Sequence, residues 1–263
     1  MLSFKKPRRP RISRRAFVLS ALAAVPAGAL LDACLEQAWV KIRHLRIGQG
    51  EPSHRFVHIS DLHYRGSRSA LERVVSSINT ISPDFVCFTG DLIEEKAHTA
   101  AALDILSRIK SPLYGIPGNH DFWANIEFDD VARCFASTGG AWLMDRQATT
   151  ADGKLVVSGA SCRSTSTLFP KPVAGKKNIL LIHYPAWVKQ AHDSYDLILA
   201  GHSHGGQCRL PFYGPPILPF SVENYDRGLF ETQAGPLYVN PGIGWFAVPL
   251  RFNCRPEITV ISL

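Results

Sequence analysis

Charge is scarce in this sequence: Asp, Glu, Lys and Arg make up only 19% of the 263 residues. An average domain carries about 25%. With 46% hydrophobic and 10% aromatic residues, the composition argues against a disordered, collagen-like or coiled-coil chain. Internal repeats and low-complexity tracts are absent. Basic excess is absent too once the first fifteen residues are set aside. The net charge is +7, from 29 Lys and Arg against 22 Asp and Glu. Lys5, Lys6, Arg8, Arg9, Arg11, Arg14 and Arg15 account for all of it, and the remaining 22 basic residues balance 22 acidic ones. No global positive field is left to attract a polyanion, so no nucleic-acid partner is expected. Of the six cysteines, none forms a CxxC pair and none has zinc-finger spacing. Cys87 lies inside the apolar run Phe85-Val86-Cys87-Phe88 and reads as a small buried hydrophobe. Cys134, Cys162, Cys208 and Cys254 are scattered, and their spacing assigns no disulfide pairs.

What is present begins with a leader. The basic head precedes an apolar run, Ala16 to Leu31, and Ala27-Gly28-Ala29 offers a small-residue cleavage site, the pattern of an export signal. Ser13-Arg14-Arg15-Ala16-Phe17-Val18 resembles a twin-arginine signal. Residues 1–33 are therefore read as a twin-arginine-type export signal or membrane anchor, with the twin-arginine export machinery as partner. The localisation expected is periplasmic or membrane-associated. Against an anchor, sixteen residues rising 1.5 Å each reach about 24 Å, short of a ~30 Å hydrocarbon core, and Pro26 interrupts the run. A third reading is lipidation at Cys34, where Leu31-Asp32-Ala33-Cys34 is a poor lipobox because of Asp32. No other transmembrane candidate follows.

From Arg55 the chain alternates apolar runs with helical patterns. Arg55–Ile59, Phe85–Phe88 and Leu113–Ile116 read as strands. Ser69–Asn79, His98–Ile109 and Phe128–Ser137 read as helices, the first through Leu71, Val74, Val75 and Ile78. Polar clusters end each strand, and the first two aspartates lie one βαβ length apart. Later strands are expected at Leu155–Gly159, Asn178–His183, Leu197–Ala200, Leu237–Val239 and Ile258–Ile261. Pro and Gly are frequent between them, which predicts a second, more antiparallel sheet packed on the first. Residues 34–263 thus read as one α/β domain of two sheets flanked by helices.

Five clusters carry candidate chemistry: Asp61-Leu62-His63, Gly90-Asp91, Gly118-Asn119-His120-Asp121, His183-Tyr184-Pro185 and Gly201-His202-Ser203-His204. Taken singly, each reads as a cap or a turn. Taken together they supply two Asp, one Asn and four His at strand ends, where open α/β sheets gather ligands. Such a mixed nitrogen and oxygen set suits two adjacent divalent ions. One carboxylate must then bridge, and Asp91 is the middle candidate. A two-metal site activates water and neutralises a phosphoryl oxygen.

These five blocks, in this order and spacing, resemble the calcineurin-like metallophosphoesterase superfamily from about residue 55 onward. Gly201 to Phe212 and Arg251 to Glu257 further resemble its bacterial twin-arginine-exported phosphodiesterase branch. The resemblance implies a four-layer αββα sandwich of two mixed sheets flanked by helices. It implies that Asp61, His63 and His204 hold one metal, that Asn119, His183 and His202 hold the other, and that Asp91 bridges. His120 would be the catalytic group, assisting the leaving oxygen. Asp121 would orient a neighbour or cap the next helix. The cofactors implied are two divalent ions, with Mn, Fe, Zn or Co all compatible with these donors. Ser203 stands where relatives often have Thr.

Arg65 and Arg209 lie close to the ligand motifs and are candidates for pairing a substrate phosphate. The apolar, Pro-rich stretches Leu210–Phe220 and Gly244–Pro249 flank the last ligands, as binding or membrane surfaces do. The expected activity is a dinuclear phosphodiesterase or pyrophosphatase acting on a small phosphoester or a nucleotide-lipid. UDP-2,3-diacylglucosamine, cleaved by some relatives in lipid A synthesis, is the sharpest alternative. A nuclease or a non-catalytic metal-binding module is the lesser one.

Overall fold

The structure is a computed structural model that describes residues 13–163 and 169–263. The leader's Lys5, Lys6, Arg8, Arg9 and Arg11 lie outside the described residues. Helix α1 (Arg14–Ala38) comes first, with Leu22, Leu30, Leu31 and Leu35 exposed along it. The Ala27–Ala29 stretch is exposed on this helix. Its last turns dock on the body: Ala33 is buried and its carbonyl accepts from the Arg251 N–H at 3.1 Å, while Glu36 Oε2 accepts from the Cys254 N–H at 3.1 Å. Among the described residues no helix is long and apolar enough to cross a membrane.

Strands β1 (Lys41–Arg46) and β2 (Arg55–Ile59) follow, then α2 (Arg68–Ile81), β3 (Val86–Phe88), α3 (Thr99–Leu106), β4 (Leu113–Gly115), α4 (Asn119–Trp123), α5 (Phe128–Ser137) and β5 (Ala141–Trp142). The chain continues through β6 (Arg146–Thr149), β7 (Leu155–Gly159), β8 (Lys177–Leu181), β9 (Leu197–Ala200), β10 (Gly228–Thr232), β11 (Gly235–Val239) and β12 (Glu257–Ser262). They form two six-stranded sheets, ordered β1-β12-β2-β3-β4-β5 and β10-β11-β9-β8-β7-β6.

Both sheets are mixed. In the first, β12 runs antiparallel to β2 and every other pairing is parallel. The second has antiparallel pairings only at its edges, β6 with β7 and β10 with β11, while β7-β8-β9-β11 are parallel. Parallel strands buried on both faces explain the unbroken apolar runs Leu155–Val157 and Leu197–Ala200.

Phe56, Cys87, Tyr114, Val157, Leu181, Leu199 and Tyr238 fill the space between the sheets, with Phe56 stacked on Phe85 at 4.7 Å. On the outer face of the first sheet, α2 buries Leu71, Val74, Val75 and Ile78, the stripe of one helical face, and stops where Ser82 turns left-handed at φ 50°. The layering expected from the sequence is present. The outer layer on the second sheet is thin, a helical turn at Pro185–Gln190 over Leu180, Ile198 and Val239. All six cysteines are free thiols, and Cys87 is buried.

Candidate metal centre

The carboxyl ends of five parallel strands converge on one edge of the two sheets. β2 delivers Asp61 and His63, β3 delivers Asp91, β4 delivers Asn119 and His120, β8 delivers His183, and β9 delivers His202 and His204. Five of these residues adopt the left-handed region: Asp61 at φ 50°, His63 at 40°, Asp91 at 58°, His202 at 65° and His204 at 49°. Non-glycine residues seldom sit there, and such strain persists where surrounding structure enforces it at a functional site. Close glycines make room. A Cβ on Gly118 would overlap Asp91 Oδ1, and one on Gly201 would overlap Ser60 and Asp61 Oδ2.

Three overlapping donor groups form around the Asp91 carboxylate, the middle one being His63, Asp91 and His120. Asp61, His63 and His204 converge on one side, and Asp91, His183 and His202 on the other. Asp91 Oδ1 accepts the His120 N–H at 2.8 Å. Its Oδ2 lies between the groups, 3.4 Å from His63 Nε2 and 3.3 Å from His183 Nε2. Asn119 Oδ1 is 3.0 Å from His183 Nε2 and joins the His183 group. His204 Nε2 stands 3.0 Å from His63 Nε2 and 3.5 Å from Asp61 Oδ1.

The ring nitrogens facing away are held from behind. His63 Nδ1 donates to Glu94 Oε1 at 2.9 Å, His183 Nδ1 donates to the Thr89 carbonyl at 2.7 Å, and His202 Nε2 donates to the Phe220 carbonyl at 2.9 Å. These bonds fix tautomers that turn a lone pair of each imidazole inward. The ring nitrogens of His63 and His204 that face each other 3.0 Å apart need a cation or a proton between them. Asn119 Nδ2 and His204 Nδ1 are buried with no hydrogen-bond partner. The donor set therefore fits a pair of divalent ions.

The buried carboxylates favour positive charge in this place. Burial disfavours charge on His183, but the Asp91 carboxylate outweighs it and lifts the imidazole to about 9. Burial opposes the Asp91 charge as well, yet His183, His63 and His120 hold it far below the usual carboxylate range. Burial, then the neighbouring His183 charge, push His202 down to about 3. His202 is thus a neutral donor at physiological pH.

Asp121 takes both roles expected of it. Its carboxylate caps α4 through the Gly118 N–H at 2.8 Å, and it accepts the N–H groups of Asp91 at 3.0 Å and Leu92 at 2.8 Å. Burial and the Asp91 charge raise it to about 7. Glu94 is a site residue that motif reading missed. Besides His63 it accepts from His120 Nδ1 at 3.0 Å and pairs with Arg65 Nη2 at 2.9 Å. The available signal was an acid three residues past Asp91 in an apolar segment. Arg65 also stacks over Trp245 at 4.1 Å. Arg209 is engaged elsewhere, in an ion pair with Asp226 and a 2.9 Å bond to the Gly205 carbonyl.

Aromatics rim the cleft. Trp123 and Phe246 lie 4.7 and 5.6 Å from His120 between ring centroids, and Phe220 lies 5.0 Å from His202. They are 64%, 45% and 56% exposed. Behind Asp61, the loop from Pro241 to Gly244 is gripped by Arg251, which is fully buried and donates to the carbonyls of Pro241, Gly242, Gly244 and Cys254.

Comparison with known proteins agrees with this architecture. Residues 54–206 match the family described as calcineurin-like phosphoesterase. The Bacillus subtilis metallophosphoesterase YkuE is 30% identical, covering 96% of this chain and 98% of its own. The Escherichia coli phosphodiesterase YaeI is 27% identical over 96% of this chain and 99% of its own. A dimetal phosphatase from Danio rerio shares the fold, with a TM-score of 0.50 at 14% identity over 81% of this chain and 99% of that one. The chain belongs to the calcineurin-like phosphoesterase family and is a metal-dependent phosphoester hydrolase.

Proposed function

We propose that the protein is a dinuclear phosphodiesterase. Asp61, His63 and His204 hold one ion, Asn119, His183 and His202 hold the other, and Asp91 bridges. The observation that carries this reading is the place of Asp91 Oδ2, within 3.4 Å of an imidazole nitrogen from each group. Two bound divalent ions would supply the positive charge that offsets phosphoryl charge and acidifies the attacking water. The chain's own residues do the rest. His120 stands beside Asp91, with its imidazole raised above its ordinary value: burial opposes the charge, but the Glu94 hydrogen bond and the Asp91 carboxylate outweigh it. That favours the protonated ring, and its place beside Asp91 suits it to donate to the leaving oxygen. Such general acids contribute about 10²–10⁴-fold. Trp123 and Phe246 flank it.

The test uses the purified protein loaded with Mn²⁺, a chromogenic phosphodiester and metal analysis. Two ions per chain and hydrolysis are expected. Asp91→Asn should lose nearly all activity and much of the metal, whereas His120→Ala should keep the metal and lose turnover. Full occupancy and full activity in Asp91→Asn would overturn the assignment.

A lipid-linked pyrophosphate such as UDP-2,3-diacylglucosamine is the second reading. It is favoured by the exposed Leu210, Phe212, Tyr213, Ile217 and Phe220 beside the last ligands. A leader that leaves the enzyme at the membrane, as the Arg14-Arg15 pair and the apolar run behind it suggest, would put lipid substrates in reach. UMP release from this lipid at a rate well above the chromogenic ester would decide for it.

A further inference from the structure

A groove of about 570 Å³ runs between the end of α1, helix α2 and the Gly244–Trp245 loop. Its floor is aliphatic, from Val40, Leu62, Leu71 and Val74, and Gln37 and Ala38 of α1 close one side. No carboxylate lines it, whereas Arg65 and Arg73 do. The volume is that of a small-molecule site.

The groove joins the catalytic cleft. His63 and Arg65 line it, and Arg65 pairs with Glu94, the carboxylate that also holds His120. Trp245 lines the groove while the next residue, Phe246, packs against His120 and His204. One wall thus serves both spaces. We infer that the groove is the subsite for one ester arm of the substrate, and that this arm carries an aliphatic chain. A nucleoside arm fits less well, because the Trp245 face is already covered by the Arg65 guanidinium at 4.1 Å and the other aromatic residue of the lining, Tyr64, is buried. The two arginines and the absence of acids suit an anionic amphiphile whose phosphoryl group sits at the metal centre and whose chain lies along α2.

This inference rests on the phosphodiesterase reading, and its test separates the two. The probes are n-alkylphosphonates with methyl, butyl and octyl chains, kept below micellar concentration. Inhibition of chromogenic ester hydrolysis by the Mn²⁺-loaded protein gives one readout, and calorimetric titration gives a second that needs no turnover. Methylphosphonate tests the metal centre alone. Full burial of a methylene strengthens binding by about fourfold, so at least a tenfold gain is expected from methyl to butyl, with a further gain to octyl. Ala70→Phe should flatten the whole series, and Ser77→Trp, farther along α2, should remove the octyl gain. A flat series in the wild-type protein would overturn the subsite while leaving the phosphodiesterase reading intact. So would tighter binding of UMP than of octylphosphonate, or a full chain-length gain in both variants.

Discussion

Glu94 Oε2 lies 3.0 Å from His120 Nδ1 while its other oxygen lies 2.9 Å from His63 Nδ1. One carboxylate therefore sets the ring of the proposed leaving-group acid and the ring of a proposed metal ligand. Burial opposes its charge, but these two histidines hold it ionised, down to about 2. Glu94→Gln keeps the shape and loses the charge. The variant is expected to lower kcat by about 10–100-fold, the usual cost of removing a partner behind a ligand, with KM little changed. Steady-state kinetics with metal analysis on the same sample checks this. A fall in KM-limited rate alone would assign Glu94 to substrate binding.

Asp121 is expected to matter for folding before chemistry. It accepts three backbone N–H groups in a buried place. Asp121→Ala would leave them unpaired, at about 1–3 kcal/mol each. A loss of several kcal/mol in urea unfolding is predicted, together with weaker metal retention, because the Asp91 turn hangs on this carboxylate. Asp121→Asn, which keeps one acceptor, should lose less.

Gly118→Ala tests the steric design of the bridge. The backbone at Gly118 is extended at φ −97° and suits any residue, so only the added methyl matters, and it would overlap Asp91 Oδ1. It would also overlap the Asp91 backbone nitrogen, so the turn that carries the proposed bridging carboxylate must shift. Metal content is predicted to fall below two per chain at equal metal concentration, with the circular dichroism spectrum unchanged. Two ions retained would show that the loop yields instead.

Acid sensitivity is predicted far from the centre. The Thr150 hydroxyl, then the Lys154 N–H and His54, pull Asp152 down to about 2. A folded value below the unfolded one of about 3.9 gives stability that is present above pH ~4 and lost as pH falls towards 2. Asp152→Asn should lower Tm slightly at pH 6, and the gap to wild type should close near pH 2 in thermal melts.

The convergence of the candidate ligands was legible because each cluster follows an apolar run that ends at a sheet edge, so Asp61, Asp91 and His202 announce themselves by position. Helix α5 was readable to its ends through its burial of Val131, Cys134 and Phe135. What stayed hidden depends on closure in three dimensions. Strand β1 (Lys-Ile-Arg-His-Leu-Arg) is a charged edge that becomes a strand only by pairing with β12. Edge strands β6 and β10 are half-exposed and lack an apolar run. Glu94 and Arg251 lie outside the ligand motifs, and their partners are carbonyls and rings brought in from elsewhere.

The position of β12 has a consequence for how the protein is made. This last strand is not added at a margin but slots between β1 and β2. The loop that precedes it carries Trp245, Phe246 and Arg251, and backs Asp61 through the Gly244 N–H at 2.7 Å from the Asp61 carbonyl. A nascent chain that has not yet made β12 leaves β2 with an open edge and the Asp61 turn unsupported. The strand must emerge before the hydrolase can assemble, so a chain cut ahead of β12 would be an inert product rather than a weakened enzyme.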